Sequence, residues 1–456
     1  MPRVFISAAH KSSGKTTLTL GLAAALDARG HAVQPFKKGP DYIDPLWLGM
    51  AARRSCYNLD FHMMQRDEIE ALFARAAAGA RISLIEGNKG LYDGLDLDGS
   101  NSNAALAKLL GAPVVLVIDA RGMTRGVAPL ILGYQAFDRD IRIAGVILNN
   151  LGGSRHESKL RAVIEHYTDA EVIGAVQHDP AMQIAERHLG LVPANEADAA
   201  RERIAGVGER VAAQVDLDRL LAIADSAAPR RAADAPRLSE PGPRVRIGIA
   251  HDAAFGFYYS EDIDTLRAAN VELVELDTLH DATLPELDGL ILGGGFPEVF
   301  MDQLQANTSL RVAIRRAIEA GLPTYAECGG LMYLSKSLSW QGRTREMLGV
   351  VPGDTVMHER PVGRGYARLQ PTGDDRWQES GLIPAHEFHY SSLENLPADA
   401  IYAYSVARGH GIDGMHDGYQ RYNLLAAYVH RRGAGPQGWI SPFLNQVRAH
   451  KARVAA

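Results

Sequence analysis

The sequence predicts two tandem α/β domains, each built on a largely parallel sheet. Short β-branched runs alternate with helical stretches in both halves of the chain. Continuous apolar strands separated by helices are typical of a parallel sheet covered on both faces. Residues 224–245, which are rich in Ala, Pro, Arg and Asp, have linker composition. The length of 456 residues suits two or three domains, and we predict domains at 1–223 and 246–450.

The elements of each half follow from their periodicity. In the first half the predicted strands are RVFISAA, HAVQPFK, ISLIEG, PVVLVIDA and IRIAGVILNN, and KTTLTLGLAAALDARG is predicted as a helix ending at Gly30. In the second half the predicted strands are RVRIGIAHD, VELVELD, LDGLILGGG and TYAECGG. The predicted helices there are SEDIDTLRAAN and SLRVAIRRAIEAGLP.

Composition excludes several classes of protein. A hydrophobic content of 46% and a charged content of 22% are ordinary for a globular protein. The net charge of −6 argues against bulk nucleic-acid binding, and no apolar run approaches a membrane span. The two cysteines fit a reducing compartment, and the N-terminus begins a strand without room for a signal peptide. We therefore expect a cytoplasmic protein that binds neither nucleic acid nor membrane.

A phosphate-binding loop is predicted between the first strand and the first helix, in AAHKSSGKTTLTLGL. Gly14-Lys15-Thr16 ends a Walker A pattern, whose backbone N–H groups cradle phosphate at a helix N-terminus. Lys15 would reach the β and γ oxygens and Thr16 would hold Mg²⁺. Ala9 replaces the usual first glycine. The alternative is an ordinary helix start capped by Ser12 or Ser13.

Acidic residues follow the neighbouring strands. Glu86 ends ISLIEG, and Asp93 lies in GLYDG. The stretch FKKGPDYIDP adds two acids, Asp41 and Asp44, and the cations Lys37 and Lys38. Magnesium bound to a nucleotide needs few protein carboxylates, so these acids are candidates for metal or substrate contacts. The alternative is a charged loop in solvent.

A candidate nucleophile lies in the second half. Cys328 follows the strand TYAE and precedes two glycines, and a thiolate there needs a nearby imidazole. His430 follows the apolar run NLLAAYV, which is predicted as a late strand of the same sheet, and His386 and His389 are the next candidates. The glycines in LILGGGFPE could form an oxyanion hole. The alternative is that Cys328 is a small buried hydrophobe.

The motifs together resemble a known family. GKTTLTLGL, PFKKGPDYIDP, NLD, GLYDG, HDAAFGFYYSEDID, GGGFPE, AECGGLMYL, HEFHYS and AAYVH occur in this order on both sides of the linker. The chain resembles the cobyrinic acid a,c-diamide synthase family. The resemblance implies a P-loop NTPase domain of the dethiobiotin-synthetase type followed by a class I glutamine amidotransferase domain.

The resemblance also implies a reaction, that of a glutamine-hydrolysing carbon–nitrogen ligase. Glutamine would supply ammonia through a cysteine thioester, and ATP with Mg²⁺ would phosphorylate the a and c acetate carboxylates of a carboxylated tetrapyrrole. The implied catalytic residues are Cys328 and His430, with an oxyanion hole at Gly294, Gly295 and Gly329. The implied nucleotide residues are Ser13, Gly14, Lys15, Thr16 and Thr17. The implied metal or carboxylate-activating residues are Thr16, Asp41, Asp44, Glu86 and Asp93, and the implied substrate residues are Lys38 and Tyr42.

Departures from the family pattern leave alternatives open. Ala9, Lys11 and Ser12 replace residues of the usual loop, and Arg432 stands where class I amidotransferases often have Glu. The same architecture serves amidases of siroheme and of other sirohydrochlorin-type rings. A non-catalytic regulatory P-loop ATPase and a cysteine hydrolase with an accessory nucleotide domain are further alternatives. A homodimer is the predicted assembly.

Overall fold

The structure is a computed structural model that describes residues 1–184, 186–187, 190–191, 199–229, 242–373 and 379–455. The chain forms two compact units, residues 1–236 and 237–456. The last helix of the first unit ends at Asp225, two residues inside the predicted linker. Residues 230–241 of that linker lie outside the described residues. No described helix is long and apolar enough to cross a bilayer.

Unit 1 alternates strands and helices along the chain. Its strands are β1 (Arg3–Ala8), β2 (Val33–Lys38), β3 (Tyr57–Leu59), β4 (Ile82–Glu86), β5 (Val114–Asp119), β6 (Ile143–Leu151), β7 (Val172–Gln177), β8 (Glu186–Arg187) and β9 (Gly190–Leu191). Its helices are α1 (Lys15–Ala28), α2 (Ile43–Ala52), α3 (Arg66–Ala76), α4 (Asn103–Leu110), α5 (Val127–Phe137), α6 (Ser154–Tyr167), α7 (Ala200–Ala212) and α8 (Leu217–Asp225). A short 3₁₀ helix spans Pro180–Met182.

The main sheet of unit 1 has the strand order β3-β2-β4-β1-β5-β6-β7. All of its pairings are parallel, as the apolar strands predicted. β1 and β5 are fully buried along their length, which requires helices on both faces. The carboxyl ends of the strands meet at one edge, so this edge collects the loops after β1, β2, β3 and β4.

Unit 2 has more strands than the sequence indicated. They are β10 (Val245–Ala250), β11 (Phe255–Phe257), β12 (Val271–Leu276), β13 (Gly289–Leu292), β14 (Gly294–Gly295), β15 (Thr324–Glu327), β16 (Ser337–Trp340), β17 (Arg343–Glu346), β18 (Asp354–Met357), β19 (Gly363–Pro371), β20 (Ile383–His389), β21 (Ser391–Glu394), β22 (Ile401–Arg408), β23 (His416–Arg421) and β24 (Leu424–Ala427). The helices are α9 (Ser260–Ala268), α10 (Met301–Ala306), α11 (Thr308–Glu319), α12 (Gly329–Leu334) and α13 (Ile440–Val454).

The main sheet of unit 2 has the order β12-β10-β13-β15-β24-β23-β22-β19-β20. Its first five strands pair in parallel, and the last four extend it by antiparallel pairing. Ala427 at the end of β24 lies opposite Glu327 at the end of β15. The residues that follow these two strands, Cys328 and Tyr428, therefore leave the sheet at the same edge. The prediction of two α/β domains is confirmed.

Candidate functional site

Cys328 lies on a sharp turn between β15 and α12. Its backbone angles are φ 47° and ψ −102°, a strained conformation for a residue with a side chain. Two glycines make room for the turn. A Cβ placed on Gly330 would lie 2.1 Å from the carbonyl oxygen of Leu292, and one on Gly329 would lie 2.9 Å from the nitrogen of Gly295. The strand-to-helix turn thus presses closely against the chain around β13 and β14.

The imidazole of His430 is the partner of Cys328. Cys328 interacts electrostatically with the imidazole, and Oε2 of Glu327 lies 3.3 Å from Nδ1 of His430. Burial alone would lower the pKa of His430, but the charges of Cys328 and Glu327 and their hydrogen bonds raise it to about 10. This arrangement places a charged imidazole next to the thiol, which is the kind of environment that activates nucleophilic cysteines.

Glu327 is the residue that the sequence interpretation missed. Its Oε1 accepts hydrogen bonds from the Tyr325 hydroxyl at 2.5 Å and from the backbone N–H of Arg431 at 2.9 Å. These contacts fix the carboxylate that faces His430. Arg432, which occupies the expected position of an acid, instead pairs with Glu261 at 2.8 Å. The sequence did contain a signal for this role, because Glu327 is an acid at the end of a buried strand.

The two other histidine candidates lie nearby in different roles. His386 exchanges backbone hydrogen bonds with His430, at 3.0 and 2.7 Å, and their rings stack with centroids 5.0 Å apart. His389 stacks on Tyr428 and bonds the carbonyl of Ser391. Of these three histidines, His430 is the one that the structure joins to both Cys328 and Glu327.

The predicted oxyanion glycines adjoin the same pair. A Cβ on Gly294 would lie 2.7 Å from Cε1 of His430, so Gly294 contacts the imidazole closely. Gly295 lies next to Gly329, since a Cβ on Gly329 would come within 2.9 Å of the Gly295 nitrogen. Because Gly329 opens α12, its N–H has no partner within the helix. Gly294 therefore lies against the imidazole of His430, and Gly295 lies against the turn that carries Cys328 and Gly329.

In unit 1, the predicted phosphate loop connects β1 to α1. Gly14 holds the N-cap position with φ 85° and no side-chain cap. The Ser13 hydroxyl donates to the carbonyl of His10 at 2.8 Å, so the alternative of a serine cap is wrong. Asn149 donates to the carbonyl of Ser13 at 2.9 Å. Hydrogen bonds from the Ser13 and Asn149 side chains thus support a loop that has fewer glycines than the usual Walker A pattern. Thr17 lies in the first turn of α1.

Lys15 begins α1, and its ammonium makes no hydrogen bond or ion pair with the described part of the chain. Burial lowers its pKa to about 8, against the opposing effects of Glu86, Asp44 and Asp93. Asp93 is exposed and accepts the N–H of Gly90 at 2.8 Å. It therefore lies within electrostatic reach of Lys15 without joining the buried acids.

Thr16, Asp44, Glu86 and Lys37 form one cluster, in which Glu86 and Lys37 are buried and Thr16 and Asp44 are half-buried. The Thr16 hydroxyl donates to Glu86 at 2.7 Å and to Asp44 at 3.2 Å. Lys37 lies between the acids, 2.9 Å from Glu86 and in a shorter contact with Asp44. Burial opposes its charge, but Asp44 and Glu86 raise the pKa of Lys37 well above its ordinary value. The sequence indicated Lys37 only as positive charge near the loop.

The pKa values of the acids follow from their burial. Burial and Asp44 raise the pKa of Asp41 to about 7; its carboxylate also accepts the N–H groups of Ile43 and Asp44 and so caps α2. Burial raises the pKa of Glu86, while Lys37 opposes the shift. Tyr42 is buried at the N-cap of α2. Lys38 ends β2 beside the cluster.

Thr16, Asp44 and Glu86 fit a Mg²⁺ ion that enters the site bound to the phosphates of a nucleotide. Among the described residues, no group of three or more His, Cys, Asp or Glu side chains is arranged as a metal cage. Mg²⁺ bound to nucleotides needs only one or two carboxylates, with the remaining positions taken by phosphate and water. Oε2 of Glu86 is buried without a hydrogen-bond partner, which leaves one carboxylate oxygen for such an ion.

Comparisons with known proteins agree with the two units. Residues 5–192 match the model of the CobQ/CobB/MinD/ParA nucleotide-binding domain, and residues 246–435 match that of the CobB/CobQ-like glutamine amidotransferase domain. Several relatives that match along nearly the whole chain carry the name cobyrinate a,c-diamide synthase. The protein from Magnetococcus marinus is 47% identical, covering 97% of this chain and 96% of its own.

Two further relatives with this name are also similar over nearly their full length. The protein from Methanosarcina acetivorans is 43% identical, covering 95% of this chain and 93% of its own. The protein from Listeria monocytogenes (strain F2365) is 39% identical, covering 94% and 96% respectively. Identity at this level extends through both units and over nearly the full length. The chain therefore belongs to the cobyrinate a,c-diamide synthase family.

Proposed function

We propose that the protein uses ATP and glutamine to convert the a and c carboxylates of cobyrinate to amides. The observation that carries this proposal is the Cys328–His430–Glu327 arrangement, in a chain whose other unit holds a phosphate loop beside buried acids. A thiolate that takes ammonia from glutamine needs such an imidazole. The shared name of the relatives supplies the acceptor.

Glutamine hydrolysis begins at Cys328. The thiolate attacks the carboxamide carbon, and backbone N–H groups near Gly294, Gly295 and Gly329 stabilise the oxyanion. His430 gives its proton to the leaving ammonia, and water then hydrolyses the glutamyl thioester with the imidazole as base. Glu327 orients the imidazole and stabilises its charged form through Nδ1. The products are glutamate and ammonia.

Acid activation takes place in unit 1. Backbone N–H groups at the start of α1 and the Lys15 ammonium hold the phosphates of ATP. The substrate carboxylate attacks the γ-phosphorus and gives an acyl phosphate and ADP, and ammonia then displaces the phosphate. A carboxylate needs this step because it is a poor electrophile near neutral pH. Lys37 supplies a buried positive charge beside the reacting groups.

Thr16, Asp44 and Glu86 are the residues that would hold Mg²⁺. The ion would supply charge neutralisation at the transferred phosphoryl group. A homodimer and a cytoplasmic location are part of the proposal. Both cysteines are free thiols, which supports a reducing compartment.

The test is amide formation followed by mass spectrometry. The protein is incubated with ATP, Mg²⁺ and glutamine against cobyrinate and, in parallel, siroheme. We expect the monoamide and the diamide of cobyrinate. Amidation of siroheme alone would contradict the proposed acceptor.

Two variants assign the chemistry to its residues. Cys328→Ser should lower glutamine hydrolysis by more than about a thousand-fold, yet keep amidation with added ammonium chloride. Lys15→Ala should stop amidation with either nitrogen source and leave the thiol intact. Cys56→Ser, at the other buried cysteine, is the matched control for the thiol. Glutamine hydrolysis by Cys328→Ser at the wild-type rate would exclude this thiol as the nucleophile.

A further inference from the structure

Lys38 is a buried lysine whose charge the described residues do not pair. It is the last residue of β2, and its exposed fraction is 5%. Its ammonium makes no hydrogen bond and no ion pair within 4.0 Å among the residues that the structure describes. An unpaired buried ammonium is costly in free energy, so its retention indicates an anionic ligand.

The surroundings of Lys38 carry excess positive charge. Asp60 is its acidic neighbour, while Lys89 and Lys37 repel it; burial and these two lysines lower the pKa of Lys38 to about 8. The Oδ1 of Asp60 already accepts the N–H groups of His62 and Met63, at 2.8 and 2.9 Å. Lys89 is exposed and likewise makes no hydrogen bond or ion pair with the described residues.

The subsite formed by Lys38 and Lys89 is separate from the position that the nucleotide phosphates would occupy. Consecutive side chains of a strand point to opposite faces, and Lys37 points to the cluster of Asp44 and Glu86. The charged neighbours of Lys38 are Asp60, Lys89 and Lys37. Those of Lys15 are Glu86, Lys37, Asp44 and Asp93. Lys37 is the one charged neighbour that Lys15 and Lys38 have in common among these residues. Lys38 therefore lies beside the nucleotide site and not within it.

The loops that carry the subsite are held in place by two asparagines. Asn58 donates to the carbonyls of Gly39 and Asp41, at 2.9 and 2.7 Å. Asn103 donates to the carbonyls of Asn88 and Gly90, at 2.6 and 2.7 Å. The first of these loops directly follows Lys38, and the second contains Lys89. Their positions are therefore fixed before a ligand arrives, as a binding site requires.

We propose that Lys38 and Lys89 bind a second carboxylate of the acceptor, one that is not being phosphorylated. This rests on the proposed function. The relatives are named as synthases of a diamide, so their acceptor has at least two carboxyl groups, and one can be held while another reacts. Two lysines beside one acid leave a single net positive charge, which matches a carboxylate.

The test is calorimetric binding of cobyrinate without ATP, with Mg–ATP binding measured in parallel. Lys38→Gln and Lys89→Gln should each weaken cobyrinate binding about ten-fold or more and leave Mg–ATP affinity unchanged. Lys38→Arg should recover part of the affinity because it keeps the charge. Lys159→Gln, an exposed lysine of α6, is the matched control and should bind cobyrinate as the wild type does.

Thermal unfolding separates binding from folding. Lys38→Gln should melt at the wild-type temperature or above it, since it removes an unpaired buried charge, and a lower value would overturn the assignment. Wild-type cobyrinate affinity in Lys38→Gln would also overturn it, as would an equal loss of Mg–ATP affinity. If the wild-type protein itself does not bind cobyrinate, that result contradicts the proposed function and, with it, the proposal that Lys38 and Lys89 bind a carboxylate of this acceptor.

Discussion

Replacing Glu327 with Gln isolates the effect of one carboxylate on the glutaminase. The substitution keeps the shape of the side chain and removes the negative charge 3.3 Å from Nδ1 of His430. A hydrogen bond to a charged group contributes about 1.5–3 kcal/mol, which corresponds to about one to two pKa units. The pKa of His430, now about 10, should then fall to about 8–9.

The direction of the pH effect follows from which form is active. The leaving ammonia needs a proton from His430, so activity is lost as the pH rises through the pKa of the imidazolium. The wild type should keep its glutaminase rate up to about pH 9.5, where the variant should be slower by about ten-fold. Below about pH 7 both imidazoles are protonated, and the difference should shrink.

The assay is glutamate release between pH 6 and 10.5, with amidation from ammonium chloride as an internal reference. The reference should be unaffected by the substitution. Glu319→Gln, an acid that pairs with Arg315 on α11, is the control. An alkaline limb at the same pH in Glu327→Gln and in the wild type would refute the role given to Glu327.

Three further predictions address the other charged sites. Glu86→Gln should raise the Mg²⁺ concentration needed for ATP turnover by about ten-fold or more, with glutaminase activity unchanged; equal Mg²⁺ titrations would contradict it. Mg–ATP affinity should fall as pH rises above about 8, because the free Lys15 ammonium loses its proton there, and Lys15→Arg should flatten this dependence in calorimetric titrations. Arg431→Met should lower the free energy of unfolding by about 3–5 kcal/mol, since it removes the cation of a buried ion pair whose other member is Glu379, at 2.6 Å. Arg343→Met, at an exposed pair with Asp302, should cost less than about 1 kcal/mol in the same denaturant titration.

Local patterns in the sequence predicted much of the fold. The β-branched runs form β1, β4, β5 and β6. Because parallel strands end at the same edge of a sheet, the acids after these strands could be predicted to lie near the phosphate loop, and Thr16 does contact Asp44 and Glu86. The antiparallel part of unit 2 was not predicted. β19 mixes buried and exposed positions without strict alternation, so its pattern does not distinguish it from a loop.

The details of the site depended on contacts between distant parts of the chain. Glu327 and His430 are 103 positions apart, and their meeting depends on β24 pairing with β15. Strand order of that kind is not encoded in any local pattern. Lys37 likewise became the centre of an acid cluster because β2 lies next to β4, with Lys37 opposite Glu86.

The contact between Gly330 and Leu292 has a consequence for natural drift and laboratory selection. Even a methyl group on Gly330 would lie 2.1 Å from a backbone oxygen, and a main-chain atom cannot rotate aside as a rotamer can. A saturation library at this codon should therefore return glycine alone under selection for glutamine use. A supply of external ammonia should let other residues survive there.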